Sequence, residues 1–144
     1  MPEIKSVEIK ALSLDLKNYR TVRQTSEAKA VAAMISTSAD RFWALARSLL
    51  ADGFLPTENI IVLNDGGKLV VREGNRRVAA LKIIHGYLKT KGLDVPDDIA
   101  EAIKNVGAGW KTSNAEAPCA VYPASQRKTV DHIVALAHGK GQKG

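Results

Sequence analysis

A glycine-rich turn between two apolar runs most constrains how this chain can fold. Residues 60–63 and 68–71 are rich in Ile, Val and Leu, and residues 64–67 between them read Asn-Asp-Gly-Gly. Asn and Gly readily adopt the positive φ angles that tight hairpin turns require. The sequence therefore predicts a β-hairpin over residues 60–73. Gly74, directly after it, favours a sharp change of chain direction.

A helix is predicted over about residues 75–89, directly after Gly74. Its apolar residues recur at helical spacing, at Val78, Leu81, Ile84 and Leu88. The first backbone N–H groups of a helix lack partners and carry the positive end of its dipole, so arginine there is unfavourable by up to about 1 kcal/mol. Arg76 and Arg77 nevertheless stand in this turn. A bound anion would explain them, so we predict a phosphate site at Gly74, Asn75, Arg76 and Arg77; the alternative is two arginines that merely face water.

The rest of the chain predicts an α+β fold. The patterns favour strands over residues 4–12 and 119–122, and helices over residues 26–36, 39–51, 98–105 and 125–138. Residues 107–117 are rich in small and polar side chains and predict a loop. We expect a small mixed sheet, surrounded by helices, whose hairpin feeds a phosphate-facing helix. Residues 1–138 are predicted to form a single domain, followed by a flexible Gly/Lys tail at 139–144, a composition also typical of a point where a longer protein continues.

Composition and charge narrow the class of partner. The 144 residues are 45% hydrophobic and 25% charged, which is typical of one globular domain. The net charge of +6 favours an anionic partner such as a nucleotide or DNA, although a merely basic surface is the alternative. A single cysteine excludes a disulfide framework, and neither a signal peptide nor a membrane-spanning run is recognisable. We therefore expect a cytoplasmic protein with no membrane partner.

Carboxylates that could support hydrolysis of a phosphate ester are few. Asp52, Asp65 and Glu73 are the candidates, but their spacing predicts no dedicated metal site. Asp65 is typical of turn chemistry, and Glu73 stands beside the two arginines. If hydrolysis occurs, we expect Glu73 to position the water, with Mg²⁺ supplied together with a nucleoside triphosphate.

Three segments together resemble the ParB-like domain family, which shares a fold with sulfiredoxin. Residues 14–20, Leu-Asp-Leu-Lys-Asn-Tyr-Arg, are similar to the family's first motif. Residues 49–62 follow its order of helix, glycine, proline and strand. Residues 71–80 contain Gly-Asn-Arg-Arg-Val-Ala-Ala, similar to the Gly-Glu-Arg-Arg motif of ParB. The resemblance covers about residues 6–90.

The resemblance implies a phosphate-bearing ligand at the Gly-Asn-Arg-Arg segment, with Asn18 and Arg20 nearby. ParB relatives bind and hydrolyse a cytidine nucleotide there, sulfiredoxin binds ATP, and domains of this kind are often labelled ParB-like nucleases. Asn75 stands where sulfiredoxin has its cysteine, so sulfinic-acid repair is not expected.

Three functions stay open from the sequence. The first is a nucleotide- and DNA-associated domain that binds a nucleoside triphosphate, with its hydrolysis left open. The second is a DNA nuclease that uses the same segment, and the third is a non-catalytic DNA-binding or regulatory module.

Overall fold

The computed structural model describes residues 2–16, 26–55 and 60–141. Five strands are found in this part of the chain: β1 (Glu3–Glu8), β2 (Leu12–Ser13), β3 (Ile60–Asp65), β4 (Lys68–Glu73) and β5 (Glu116–Pro123). Six α-helices accompany them: α1 (Glu27–Thr37), α2 (Ala39–Asp52), α3 (Asn75–His85), α4 (Asp97–Lys104), α5 (Ala108–Ser113) and α6 (Arg127–Gly141). Short 3-10 turns at Ile9–Ala11 and Ala124–Gln126 precede β2 and α6.

The strands form one mixed sheet in the order β1-β5-β3-β4-β2. β5 pairs antiparallel with β1 and parallel with β3, β3 pairs antiparallel with β4, and β2 pairs parallel with β4. The predicted α+β class with a small mixed sheet is confirmed. The predicted hairpin is confirmed as well: Asp65 pairs with Lys68, and the Asn64 side chain accepts a hydrogen bond of 2.9 Å from the Gly67 amide across the turn.

Helices cover both faces of the sheet. The larger core lies between one face and α1, α2 and α3, and includes Ile60, Val62 and Val71 from the strands. A smaller core lies under α6, where Leu63, Ala120 and Tyr122 meet Val130 and Val134. No described helix is long and apolar enough to cross a membrane.

α3 is the central helix, and nine of its eleven residues are buried. Because its buried residues include Asn75, Lys82 and His85 as well as the apolar ones, its buried surface is wider than the predicted stripe. The prediction that it reaches residue 89 is wrong. Gly86 adopts a φ of 83°, the Gly86 amide bonds to the Ile83 carbonyl at 3.1 Å, and the Tyr87 amide bonds to the Lys82 carbonyl at 2.8 Å. This pattern ends the helix at His85.

The other predicted helices vary in accuracy. α1, α2 and α4 agree with the predicted ends to within one residue, and Gly53 ends α2 with a φ of 74°. The predicted loop at 107–117 is wrong, because it contains α5 and the start of β5. The first predicted strand is interrupted by the turn at Ile9–Ala11, and α6 extends to Gly141, past the predicted start of the tail.

Candidate functional site

Gly74 forms the sharp junction between β4 and α3. Its φ of 99° and ψ of 17° lie in the left-handed region, which is easily reached only by glycine. A Cβ atom added at Gly74 would lie 3.3 Å from Cγ1 of Ile60, a tight contact with the first residue of β3. Both observations explain why a glycine stands between the hairpin and the helix.

The first turn of α3 lacks the negative charge and the side-chain cap that are usual at a helix N-terminus. Gly74 is the N-cap residue, so no side chain there accepts a hydrogen bond from the helix, and the turn contains no acidic residue. The Gly74 carbonyl accepts the first helical bond, from the Val78 amide at 3.0 Å. The amides of residues 75–77 precede that bond and have no acceptor within the helix. No side chain of this first turn therefore compensates the positive end of the dipole.

Arg76 and Arg77 add charge to this end and are half-buried. Among the described residues, no carboxylate lies within ion-pair distance of either guanidinium. The guanidinium carbon of Arg77 lies 5.7 Å from the centroid of the Phe54 ring, a cation–π contact. Phe54 follows Gly53 at the end of α2, so the two glycine junctions meet at this contact.

Three other arginines of the described segments, Arg47, Arg72 and Arg127, are paired with carboxylates, whereas the exposed Arg41 has no ion pair there. Arg47 binds Asp98 with a shortest distance of 2.8 Å, and Arg127 lies 3.3 Å from Asp65. The hydrogen bond between these side chains raises the pKa of the Arg47 guanidinium and lowers the pKa of the Asp98 carboxyl group. Arg76 and Arg77 differ from these surface pairs because they stand at a helix N-terminus and no described carboxylate lies within ion-pair distance of them.

Asn75 has a structural role that the sequence did not indicate. Its side chain is 4% exposed, donates to the Val71 carbonyl at 2.9 Å and accepts from the Asp15 amide at 3.0 Å. Both functional groups of the amide are therefore used within the protein. The part of Asn75 that points to the predicted phosphate site is its backbone N–H.

A partly buried ion pair also anchors the loop at residues 14–15. Lys82 on α3 donates to Glu27 at the start of α1 at 2.9 Å, and the Lys82 side chain is only 7% exposed. The second carboxylate oxygen of Glu27 accepts from the Leu14 amide at 2.7 Å. Sequence reasoning missed this pair, since Lys82 lies off the apolar stripe and reads as an exposed lysine.

Arg72 forms a third anchor for the loop. Its Nε lies 2.9 Å from a carboxylate oxygen of Asp15, a charge contact without hydrogen-bond geometry. Its Nη2 donates to Asp131 on α6 at 2.7 Å. The loop at residues 14–15 is thus tied to β4, α1 and α3, immediately before the segment that holds Asn18 and Arg20. Asn18 and Arg20 themselves lie outside the described residues.

The candidate carboxylates do not converge. Asp65 lies at the hairpin turn beside Arg127, Asp52 ends α2, and Glu73 is half-buried at the end of β4. Within residues 2–16, 26–55 and 60–141, no group of three or more His, Cys, Asp or Glu side chains could hold a metal ion.

The cysteine and the two histidines whose side chains the structure describes lie outside the first turn of α3. Cys119 is buried in β5, and burial raises the pKa of its thiol to about 11, so the thiol is neutral near pH 7. His85 is buried at the end of α3, with Nε2 lying 2.8 Å from the Asn114 carbonyl. His132 is exposed on α6. None of the three lies in the first turn of α3.

The ligand-binding groups that the described residues offer are therefore backbone amides and two arginines. The comparisons with known proteins add no relative. No protein-family model matches this chain, and no curated protein is significantly similar to it.

Proposed function

We propose that this protein binds a phosphate-bearing ligand, foremost a nucleoside triphosphate, at the start of α3. The observation that carries the proposal is the first turn of that helix: a left-handed glycine cap without a side-chain acceptor, followed by two half-buried arginines that no described carboxylate neutralises. Free amides and the helix dipole attract anions at such a terminus. The forked donors of arginine fit phosphate oxygens.

Each group then has a defined role. The amides of Asn75, Arg76 and Arg77 bind phosphate oxygens, and the two guanidinium groups neutralise their charge. Gly74 allows the sharp turn that sets the first amides of α3 directly after β4, because its left-handed φ of 99° is easily reached only by glycine. The Asn75 side chain acts indirectly, since its bond to the Asp15 amide holds the loop that continues to Asn18 and Arg20.

ParB-like domains provide the model for the wider function, a nucleotide- and DNA-associated domain. A nucleoside triphosphate would bring Mg²⁺ as its own counter-ion. Hydrolysis would need little beyond positioning and charge neutralisation, with Glu73 orienting the water. We propose Glu73 for this role because it directly precedes Gly74 at the end of β4.

Isothermal titration with ATP, CTP, GTP and UTP, each with and without Mg²⁺, tests the binding proposal. Replacing Arg76 and Arg77 together by alanine should weaken the affinity at least about tenfold, because a hydrogen bond to a charged group contributes about 1.5–3 kcal/mol. Arg41→Ala is the matched control: Arg41 also stands in the first turn of a helix, α2, but that helix has no glycine cap and carries Asp40 in the same turn. Absence of binding by all four nucleotides, or equal binding by the double variant, would contradict the proposal.

DNA is the second candidate ligand, and the net charge of +6 favours it. A DNA phosphate satisfies the same amides and arginines, but the contact releases counter-ions. DNA binding should therefore weaken steeply with salt, and the slope should decrease in the Arg76→Ala, Arg77→Ala variant. A plasmid nicking assay with several divalent cations then separates a nuclease from a DNA-binding module without turnover.

A further inference from the structure

β1 forms one edge of the sheet, and its outer side has no partner strand among the described residues. Its inner side pairs with β5 over six residues. An edge strand offers a row of backbone N–H and C=O groups that can pair with another chain. Little of the described protein covers this strand, because only one of its six residues, Val7, is buried.

The hydrogen-bond pattern identifies which residues face outward. The Ile9 amide donates to the Ala115 carbonyl at 2.9 Å, in line with the register that pairs Val7 with Ala117. Bonding residues alternate along an antiparallel strand, so residues 3, 5 and 7 direct their backbone groups toward β5. The backbone groups of Ile4 and Ser6 therefore point to the open edge.

Ile4 is the exposed apolar residue of this edge. Its relative accessibility is 60%, the highest among the exposed large hydrophobic residues of the described segments. Ile4 pairs with Ala120, so it lies on the α6 face of the sheet. Protected edges usually carry a charge at such a position, and isoleucine there adds apolar surface to the open backbone groups.

We propose that β1 pairs antiparallel with β1 of a second copy, with Ile4 on the two-fold axis. The two Ile4 residues would exchange N–H···O=C bonds, and the Ser6 amide would donate to the Pro2 carbonyl of the second copy. Glu3 of each copy then lies opposite Lys5 of the other. These are non-hydrogen-bonded positions, where side chains approach most closely, so both charge pairs are favourable.

Charge complementarity selects this register over its neighbours. In a two-fold pairing, each residue whose backbone groups point to the open edge must lie opposite another such residue. The two-fold axis therefore passes through a residue, and neighbouring registers place it at Glu3, Ile4 or Lys5. An axis at Glu3 sets Glu3 against Glu3, and an axis at Lys5 sets Lys5 against Lys5. Of these three registers, only the axis at Ile4 places opposite charges together, and it also joins the two exposed isoleucines. Lys5 already lies 3.5 Å from Glu3 in its own chain, so the four charges would form one network.

Sedimentation velocity over a concentration series tests the proposal. The parent protein should show a dimer whose fraction increases with concentration, and Glu3→Lys or Lys5→Glu alone should raise the dissociation constant by about tenfold through two like-charge pairs. An equimolar mixture of the two variants should form a heterodimer, because both lysines of the first variant then face glutamates of the second. The Glu3→Lys, Lys5→Glu double variant should dimerise like the parent.

Lys10→Glu is the matched control, since Lys10 is an exposed lysine beyond the paired residues. Hydrogen exchange should show the Ile4 and Ser6 amides gaining protection on dimerisation, while the Lys5 amide is protected in both states. A monomer at every concentration would overturn the proposal. So would a variant mixture that stays monomeric, or Lys10→Glu weakening the dimer as much as Lys5→Glu.

Discussion

Replacing Arg76 by glutamine should stabilise the ligand-free protein and weaken its binding of a nucleoside triphosphate. Arg76 lies in a first turn that has no acidic residue and no side-chain cap. A cation at that end of a helix is unfavourable by about 0.3–1 kcal/mol, and partial burial favours the upper part of this range. Glutamine has a similar length and helix propensity, so the loss of charge dominates. We therefore expect the free energy of unfolding to rise by about 0.5–1 kcal/mol.

Arg77→Gln should change the free energy of unfolding less than Arg76→Gln does. Arg77→Gln removes the same unfavourable charge but also the contact with the Phe54 ring at 5.7 Å. An exposed cation–π contact contributes about 0.5–1 kcal/mol, so the two effects nearly cancel. Arg77→Gln should thus leave the unfolding free energy almost unchanged while it still weakens ligand binding.

Urea unfolding followed by tryptophan fluorescence, without and with nucleotide, measures both the free energy of unfolding and its increase on ligand binding. Trp43 is buried in the core and Trp110 bonds to the Leu49 carbonyl, so both report on global unfolding. A saturating nucleotide should stabilise the parent more than Arg76→Gln. The parent should therefore be the more stable protein with nucleotide, although Arg76→Gln is the more stable one without it. Lys104→Gln is the control of opposite sign, because Lys104 stands in the last turn of α4, where a cation is favourable. If Arg76→Gln destabilises the ligand-free protein as Lys104→Gln does, the electrostatic reasoning about α3 is refuted.

Two further predictions concern the frame of the site. Gly74→Ala should lower the free energy of unfolding by about 1–2 kcal/mol in chemical denaturation, because alanine is strained at a φ of 99° and its Cβ would lie 3.3 Å from Ile60 Cγ1. Gly74→Asn has the same Cβ contact but tolerates this φ, so it should cost less, and equal losses would assign the cost to the Ile60 contact and not to the backbone. Burial raises the pKa of Cys119 from 9.0 to about 11, so the neutral thiol stabilises the fold fully below pH 9 and this contribution is lost as pH rises toward 11. The unfolding free energy should decrease over that window by up to about 2–3 kcal/mol, and the decrease should be smaller in Cys119→Ala; an identical pH profile would show that another group is responsible.

The parts of the fold that the sequence predicted are those with local signals. The hairpin follows from Asn64 and Gly67, which bond to each other across the turn, and the α3 start follows from Gly74. The length of β5 could not be read in this way. Its pairing with β1 and β3 joins residues far apart in sequence, and its N-terminal half, Glu-Ala-Pro-Cys, has a weak strand pattern.

In the candidate site, too, the sequence indicated the residues with a local signal and not those whose partners are distant in sequence. Arg76 and Arg77 were recognisable because their charge conflicts with a helix start. The role of Asn75 was hidden, because its partners are backbone groups of Val71 and Asp15 that only the folded chain brings together. Lys82 was equally hidden, since its partner Glu27 lies 55 residues away in sequence.

Three polar side chains that resemble ligand-binding groups are committed to holding the loop at residues 14–15. Asn75 binds the Asp15 amide, Glu27 binds the Leu14 amide, and Arg72 contacts the Asp15 carboxylate. A loop fixed by several polar contacts loses little conformational freedom when a ligand arrives, so its ordering cost is largely met on folding. Within the described part of the chain, Arg76 and Arg77 make no hydrogen bond or ion pair with this loop, although they lie on the same helix as Asn75. Asn75 thus anchors the loop, while Arg76 and Arg77 beside it have no ion pair with a described carboxylate; this combination is what the proposed preorganised anion site would require.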